Sequence, residues 1–129
     1  MKIDSNIDVT SVDFPPSFKV CDSLISKKDK TSCFRNTMHR EMYKSLAKQP
    51  IRLKPFTDET ITVVIKIQVD QQVKLVSFSA SDNLKNQMPT LEAVIEKSIS
   101  DLPTIHPAVK RGMLVTTEYR IPIRFKFNG

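Results

Sequence analysis

Apolar residues recur every four positions at Phe34, Met38, Met42 and Leu46, a spacing that lays a single stripe along a helix. Ser32 stands ahead of the stripe as an N-cap and Pro50 closes it, so the pattern predicts a helix over about 32–48. Downstream the period falls to two. Ile61, Val63, Ile65, Ile67 and Val69 alternate with Thr60, Thr62, Val64, Lys66 and Gln68, which marks a strand covered on one face. Asp70, Gln71 and Gln72 connect it tightly to VKLVSFSA, where Val76, Phe78 and Ala80 share a face, and the pair predicts an antiparallel hairpin. That turn lacks the glycine a type I′ turn prefers. The polar run SDNLKNQMP reads as a loop. The helical period then returns in TLEAVIEKSISDL through Leu91, Val94, Ile95, Ile99 and Leu102, with Thr90 as N-cap and Pro103 as the stop.

After a further loop, PTIHPAVKRGM, the chain ends on TEYRIPIRFKF. Here Tyr119, Ile121, Ile123, Phe125 and Phe127 take one face and Glu118, Arg120, Pro122, Arg124 and Lys126 the other. The predicted order is coil, helix, two strands, helix, strand. Every apolar stripe is buried if the chain is α+β, a three-stranded antiparallel sheet with two helices packed on one face. Residues 1–30, broken by Pro15 and Pro16, read as an irregular N-terminal segment with room for a short strand near Phe18–Cys21, and residues 31–129 as the domain. A right-handed crossover through the second helix sets the last strand beside the first, which becomes central, and leaves the last strand at an edge.

Pro122 fits that edge, since a proline cannot donate to a ladder and is confined to strand starts, bulges or edges. It belongs to the outward set with Glu118 and Arg120. Two readings stay open. Pro122 blunts the edge against indefinite pairing, or the remaining outward groups of Thr116, Glu118 and Arg120 accept a guest strand.

Composition narrows the chemistry. Two glycines in 129 residues exclude a glycine-rich phosphate loop. His39 and His106 lack metal-ligand spacing, and Cys33 carries no nucleophile signature, so the sequence predicts no enzyme, no cofactor and no metal site. The net charge of +6 suits a polyanion or an anionic surface, and a basic domain binding nucleic acid or such a surface is the alternative reading. The cations are scattered, however, with KKDK at 27–30 the nearest to a cluster and no aromatics interleaved, which speaks against nucleic acid. Cys21 and Cys33 leave one pairing, formed in an oxidising compartment and reduced in the cytosol. The N-terminal MKIDSNIDVTSVDF has no apolar h-region and does not read as a signal peptide.

The run LPTIHPAVKRGMLVTTEYRIPIRFKF, placed after a strand-turn-strand and the helix TLEAVIEKSI, resembles the C-terminal domain of TonB energy transducers, above all the Bacteroidetes forms. Leu102 and Pro103, Pro107 and Ala108, Gly112, Tyr119, Ile121-Pro122-Ile123 and Phe125 carry the likeness, and FPPSFKVCD with Cys33-Phe34 extends it upstream. Asp70-Gln71-Gln72 replaces the family's glycine turn, and FTDETI its tyrosine-proline entry. The resemblance implies a periplasmic domain that takes the TonB box peptide of a TonB-dependent outer-membrane transporter as an added strand along Leu114, Val115, Thr116, Thr117, Glu118, Tyr119, Arg120 and Ile121. It further implies an inner-membrane anchor and inner-membrane motor proteins for a full-length transducer, and an oxidising setting for a Cys21–Cys33 disulfide. No apolar span or proline-rich spacer precedes the domain in this sequence, so the expectation covers binding rather than force transmission. Free strand edges would also allow a homodimer.

Overall fold

The computed structural model describes residues 7–8 and 11–127, with side chains from residue 11 onward. The irregular reading of residues 1–30 falls in part on 1–6 and 9–10, which lie outside the described residues, as do 128–129. In chain order the elements are β1 (Ile7–Asp8), β2 (Ser17–Phe18), a 3-10 turn (Lys19–Cys21), α1 (Lys27–Ala47), β3 (Asp58–Ile67), β4 (Val73–Ser79), α2 (Asp82–Gln87), α3 (Leu91–Ser100), β5 (Ile105–His106), β6 (Ala108–Lys110), β7 (Met113–Val115) and β8 (Thr117–Lys126).

The fold is α+β. Three antiparallel strands, β8, β3 and β4, form the sheet with β3 in the centre, and β1 adds in parallel to the outer side of β8. Ile61, Val63, Ile65 and Ile67 of β3 are fully buried, while Thr60 on the other face is exposed, so the helices cover one face of the sheet. From α1 that core receives Phe34, Met38, Met42 and Leu46, and from α3 Leu91, Ile95 and Ile99. Phe34 anchors it, stacked on Phe18 at 5.3 Å and edge-on to Tyr119 at 5.0 Å between ring centroids.

Several local expectations change. The first helix starts at Lys27, because Ser26 and not Ser32 is its cap: the Ser26 hydroxyl accepts from the Asp29 amide at 3.0 Å. The apolar period begins only at Phe34, which leaves the earlier turns without a hydrophobic signal. Thr90 precedes α3 but makes no side-chain cap bond. The loop SDNLKNQMP contains α2, capped by Ser81 on the Leu84 amide and pinned through Leu84, which is fully buried.

Two further segments carry strands: residues 11–26, where the short strand allowed near Phe18–Cys21 falls at Ser17–Phe18, and PTIHPAVKRGM, read as a loop. Residues 11–26 contribute Phe18 and Cys21 to the core, with β2 paired to β5. Cys21 and Cys33 form a disulfide, Cα–Cα 5.8 Å, that ties the 3-10 turn to α1. Within PTIHPAVKRGM, β6 and β7 make a hairpin whose turn residues Arg111 and Gly112 both have positive φ, 52° and 75°, as a type I′ turn requires. Arginine is unusual in the first of those positions. The Asp13 carboxylate holds it there, accepting from the Arg111 amide at 2.6 Å.

In the β3–β4 pair, Ser77 faces Val64 and Leu75 faces Ile65, so Val76 is an extra, bulged residue. The bulge reverses the alternation: Val73, Leu75 and Phe78 pack on the core while Val76 stays 46% exposed, which corrects its expected place beside Phe78. It also kinks an edge on which no strand pairs among the described residues.

Candidate functional site at the outer edge of the last strand

Which backbone groups of β8 look outward follows from two bonds. The Phe127 amide donates to the Thr57 carbonyl at 2.8 Å, on the β3 side, whereas the Arg124 amide donates to the Tyr43 hydroxyl at 2.6 Å. Amides alternate along a strand, so those of the even residues 118, 120, 124 and 126 point away from β3. Pro122 belongs to that outward set. Its missing N–H therefore costs the sheet no bond, and the ladder with β3 runs unbroken from Ile67↔Thr117 to Asp58↔Lys126.

The expected bare flank along 114–121 is corrected at several points. Leu114 and Val115 are paired in the β6–β7 hairpin with Val109 and Ala108. Thr116 is buried between the two strands. Thr117 and Glu118 stand in register with Ile7 and Asp8 of the N-terminal arm, and Tyr119 and Ile121 turn their amides toward β3. Of the expected residues Arg120 alone keeps an outward amide beyond the arm's register with Thr117 and Glu118. Sequence patterning missed the arm because two paired residues carry no detectable period.

Beyond Pro122 the edge opens onto a groove of about 670 Å³ between β8 and the C-terminal half of α1, which sequence reading did not anticipate. Leu46, Ala47, Ile51 and Phe127 supply apolar wall, and Tyr43, its ring 4.3 Å from that of His39, stands at the edge itself. The i, i+4 spacing of His39 and Tyr43 on α1 was the available signal, since it puts both on the flank beside the buried stripe.

Charge on the solvent face of β8 is mostly positive. Arg120, Arg124 and Lys126 are exposed there. Asp58 takes a two-pronged hydrogen bond from the Arg124 guanidinium, at 2.8 Å and 2.7 Å. That bond, opposed in part by desolvation, holds the Asp58 carboxyl below its ordinary value and raises Arg124. Burial pushes the Tyr119 hydroxyl upward, against a smaller opposing effect of Arg35.

The remaining candidates have structural partners. Cys33 is in the disulfide and offers no thiol. His106 lies 3.7 Å from the Asp22 carboxylate and 3.5 Å from the Gln71 amide. Outside that set, the Glu59 carboxylate accepts from Ser81 and Asn83. Among the described residues no three His, Cys, Asp or Glu side chains gather as metal ligands would, and no helix is long and apolar enough to cross a membrane. No protein-family model, no curated protein and no solved structure matches this chain, so the likeness to TonB C-terminal domains rests on the residues quoted for it.

Proposed function

We propose that the domain captures an extended peptide by strand addition to the outer edge of β8, in the manner of TonB C-terminal domains with the TonB box of an outer-membrane transporter. The observation that carries this reading is β1. Ile7 and Asp8 are laid against Thr117 and Glu118 as a parallel strand, so the edge presents its main-chain groups in a geometry that takes one. The arm is then the resident strand that a guest displaces. A periplasmic setting agrees with the Cys21–Cys33 disulfide. An inner-membrane anchor and motor proteins are the partners of a full-length transducer on this reading.

The test is a titration of the ¹⁵N-labelled chain with N-terminal peptides of such transporters. Shift changes are expected along residues 117–127. Arg120→Pro deletes an outward donor and leaves the β3 ladder intact, so it should abolish binding; unchanged affinity in that variant sinks the proposal. Ile7→Pro weakens the arm's own pairing and should tighten the complex.

A second reading, an anionic-surface binder, draws on a polar cleft of about 430 Å³ between α1 and α3 lined by Lys44, Lys48 and Lys97 together with the carboxylates of Glu41 and Asp101. Asp101, held by Ser45 at 2.7 Å and Lys97 at 2.9 Å, already supplies a counter-charge there. Affinity falling linearly on a log–log salt plot would support it.

A further inference from the structure

We infer that the guest strand, on the strand-addition reading just given, runs on past Arg120 to seat on the C-terminal half of β8 over residues 122–127, and that the part seated there is an extended segment alternating acidic and apolar residues. Three features of that half-edge lead there. The Arg124 amide points outward and is met not by backbone but by the Tyr43 hydroxyl oxygen, 2.6 Å away. This oxygen stands where the carbonyl of an added strand would accept, so the guest replaces the tyrosine bond for bond and leaves no amide unpaired. Tyr43 is thus a placeholder that closes the edge when no guest is present.

The groove supplies the second feature. Side chains of a strand alternate between faces, and those of a guest on the helix-covered side come to lie over the space walled by Leu46, Ala47, Ile51 and Phe127. An apolar side chain fits that lining at every second position.

The third is charge. On the opposite face the guest's alternate side chains lie beside Arg120, Arg124 and Lys126, all exposed. Asp58 answers Arg124 alone by an ion pair, and among the described residues Arg120 and Lys126 make none. Acidic residues complement this row across neighbouring strands. The segment resident on the other half of the edge, Ile7–Asp8, is likewise an apolar residue followed by an acidic one.

The experiment uses the full chain and two blocked heptapeptides, one alternating glutamate with valine and one alternating lysine with valine. The glutamate peptide should shift the amides of Ala47, Arg124, Lys126 and Phe127, and the lysine peptide should bind at least tenfold more weakly. Tyr43→Phe removes the competing hydroxyl and should tighten binding about two- to tenfold, the worth of one net hydrogen bond. Ala47→Glu puts an acid at an exposed helix position in the groove and should weaken it by a similar factor.

Shifts confined to residues 117–121, with both variants indifferent, would overturn this seat and leave strand addition standing. Equal binding of the lysine peptide would overturn the acidic pattern. If neither heptapeptide binds while transporter peptides do, the inference fails alone; if nothing binds, it fails with the reading beneath it. Self-association abolished by Ala47→Glu would assign the groove to a second copy of the chain and overturn it as well.

Discussion

Cys21 and Cys33 are joined by a disulfide that fastens the 3-10 turn to the second turn of α1, across a sequence separation of 12. Cys21 is fully buried, and Phe18, three residues before it, stacks on Phe34, so the bridge holds the N-terminal segment against the main core. Closing a loop of this length in the unfolded chain is worth about 3 kcal/mol. Reduction, or Cys33→Ser, should lower the unfolding free energy by that amount and steepen its dependence on denaturant, because the uncrosslinked unfolded chain exposes more surface. A loss under about 1 kcal/mol would show that the loop is already ordered in the unfolded chain.

The bulge in β4 makes a sharp contrast between neighbours in space. Ile65 is fully buried and Val76 is 46% exposed. Ile65→Ala should therefore cost about 2–5 kcal/mol, and Val76→Thr no more than about 0.5 kcal/mol. Comparable losses at the two positions in urea denaturation would mean that the strands pair without the bulge.

Acid sensitivity should trace in part to Asp58. Its carboxyl is held down chiefly by the hydrogen bond from Arg124, so the pair's contribution is present above the ordinary carboxylate range, roughly pH 4, and is lost as pH falls through the lower folded value. Asp101, held down first by Ser45 and then by Lys97, acts in the same direction. Asp58→Asn should flatten the loss of stability below roughly pH 4 and leave the slope near neutrality unchanged. Denaturation midpoints measured from pH 2 to 7 check this, and an unaltered acid limb would contradict it.

Pro122 stands in the outward set, opposite Thr62 of β3, where its ring interrupts no bond. Pro122→Ala should change stability by less than about 1 kcal/mol, mostly by loosening the unfolded chain. It restores an outward donor. Self-association at high concentration, followed by sedimentation, should rise relative to the parent chain; an unchanged monomer would show that the proline is not what keeps copies apart.

Long periods were legible and short contacts were not. The stripes Phe34–Met38–Met42–Leu46 and Leu91–Ile95–Ile99, and the alternation through Ile61–Ile67 and Tyr119–Phe127, predict the helices, the central strand and the last strand, because each repeats a burial over several turns or pleats. Val76 could not be placed, since a bulge is one residue of phase and leaves composition untouched. The β6–β7 hairpin was hidden by its three-residue strands and by an arginine where asparagine is favoured. At the candidate site, the outward parity of Pro122 was readable from the chemistry of its ring, whereas the bond from Arg124 to Tyr43 joins residues 81 apart in sequence. Nothing local announces such a pairing.

The parallel arm has a kinetic meaning. Asp8 is followed within a few residues by Phe14, whose amide and carbonyl are bonded to Val109 at 3.0 Å each, so the arm's leash is short. Its local concentration at Thr117 and Glu118 is of the order of millimolar at any dilution of the protein. A ligand that claims those positions thus faces a built-in rival that cannot diffuse away, and its measured affinity understates its intrinsic grip by however much the leash favours rebinding.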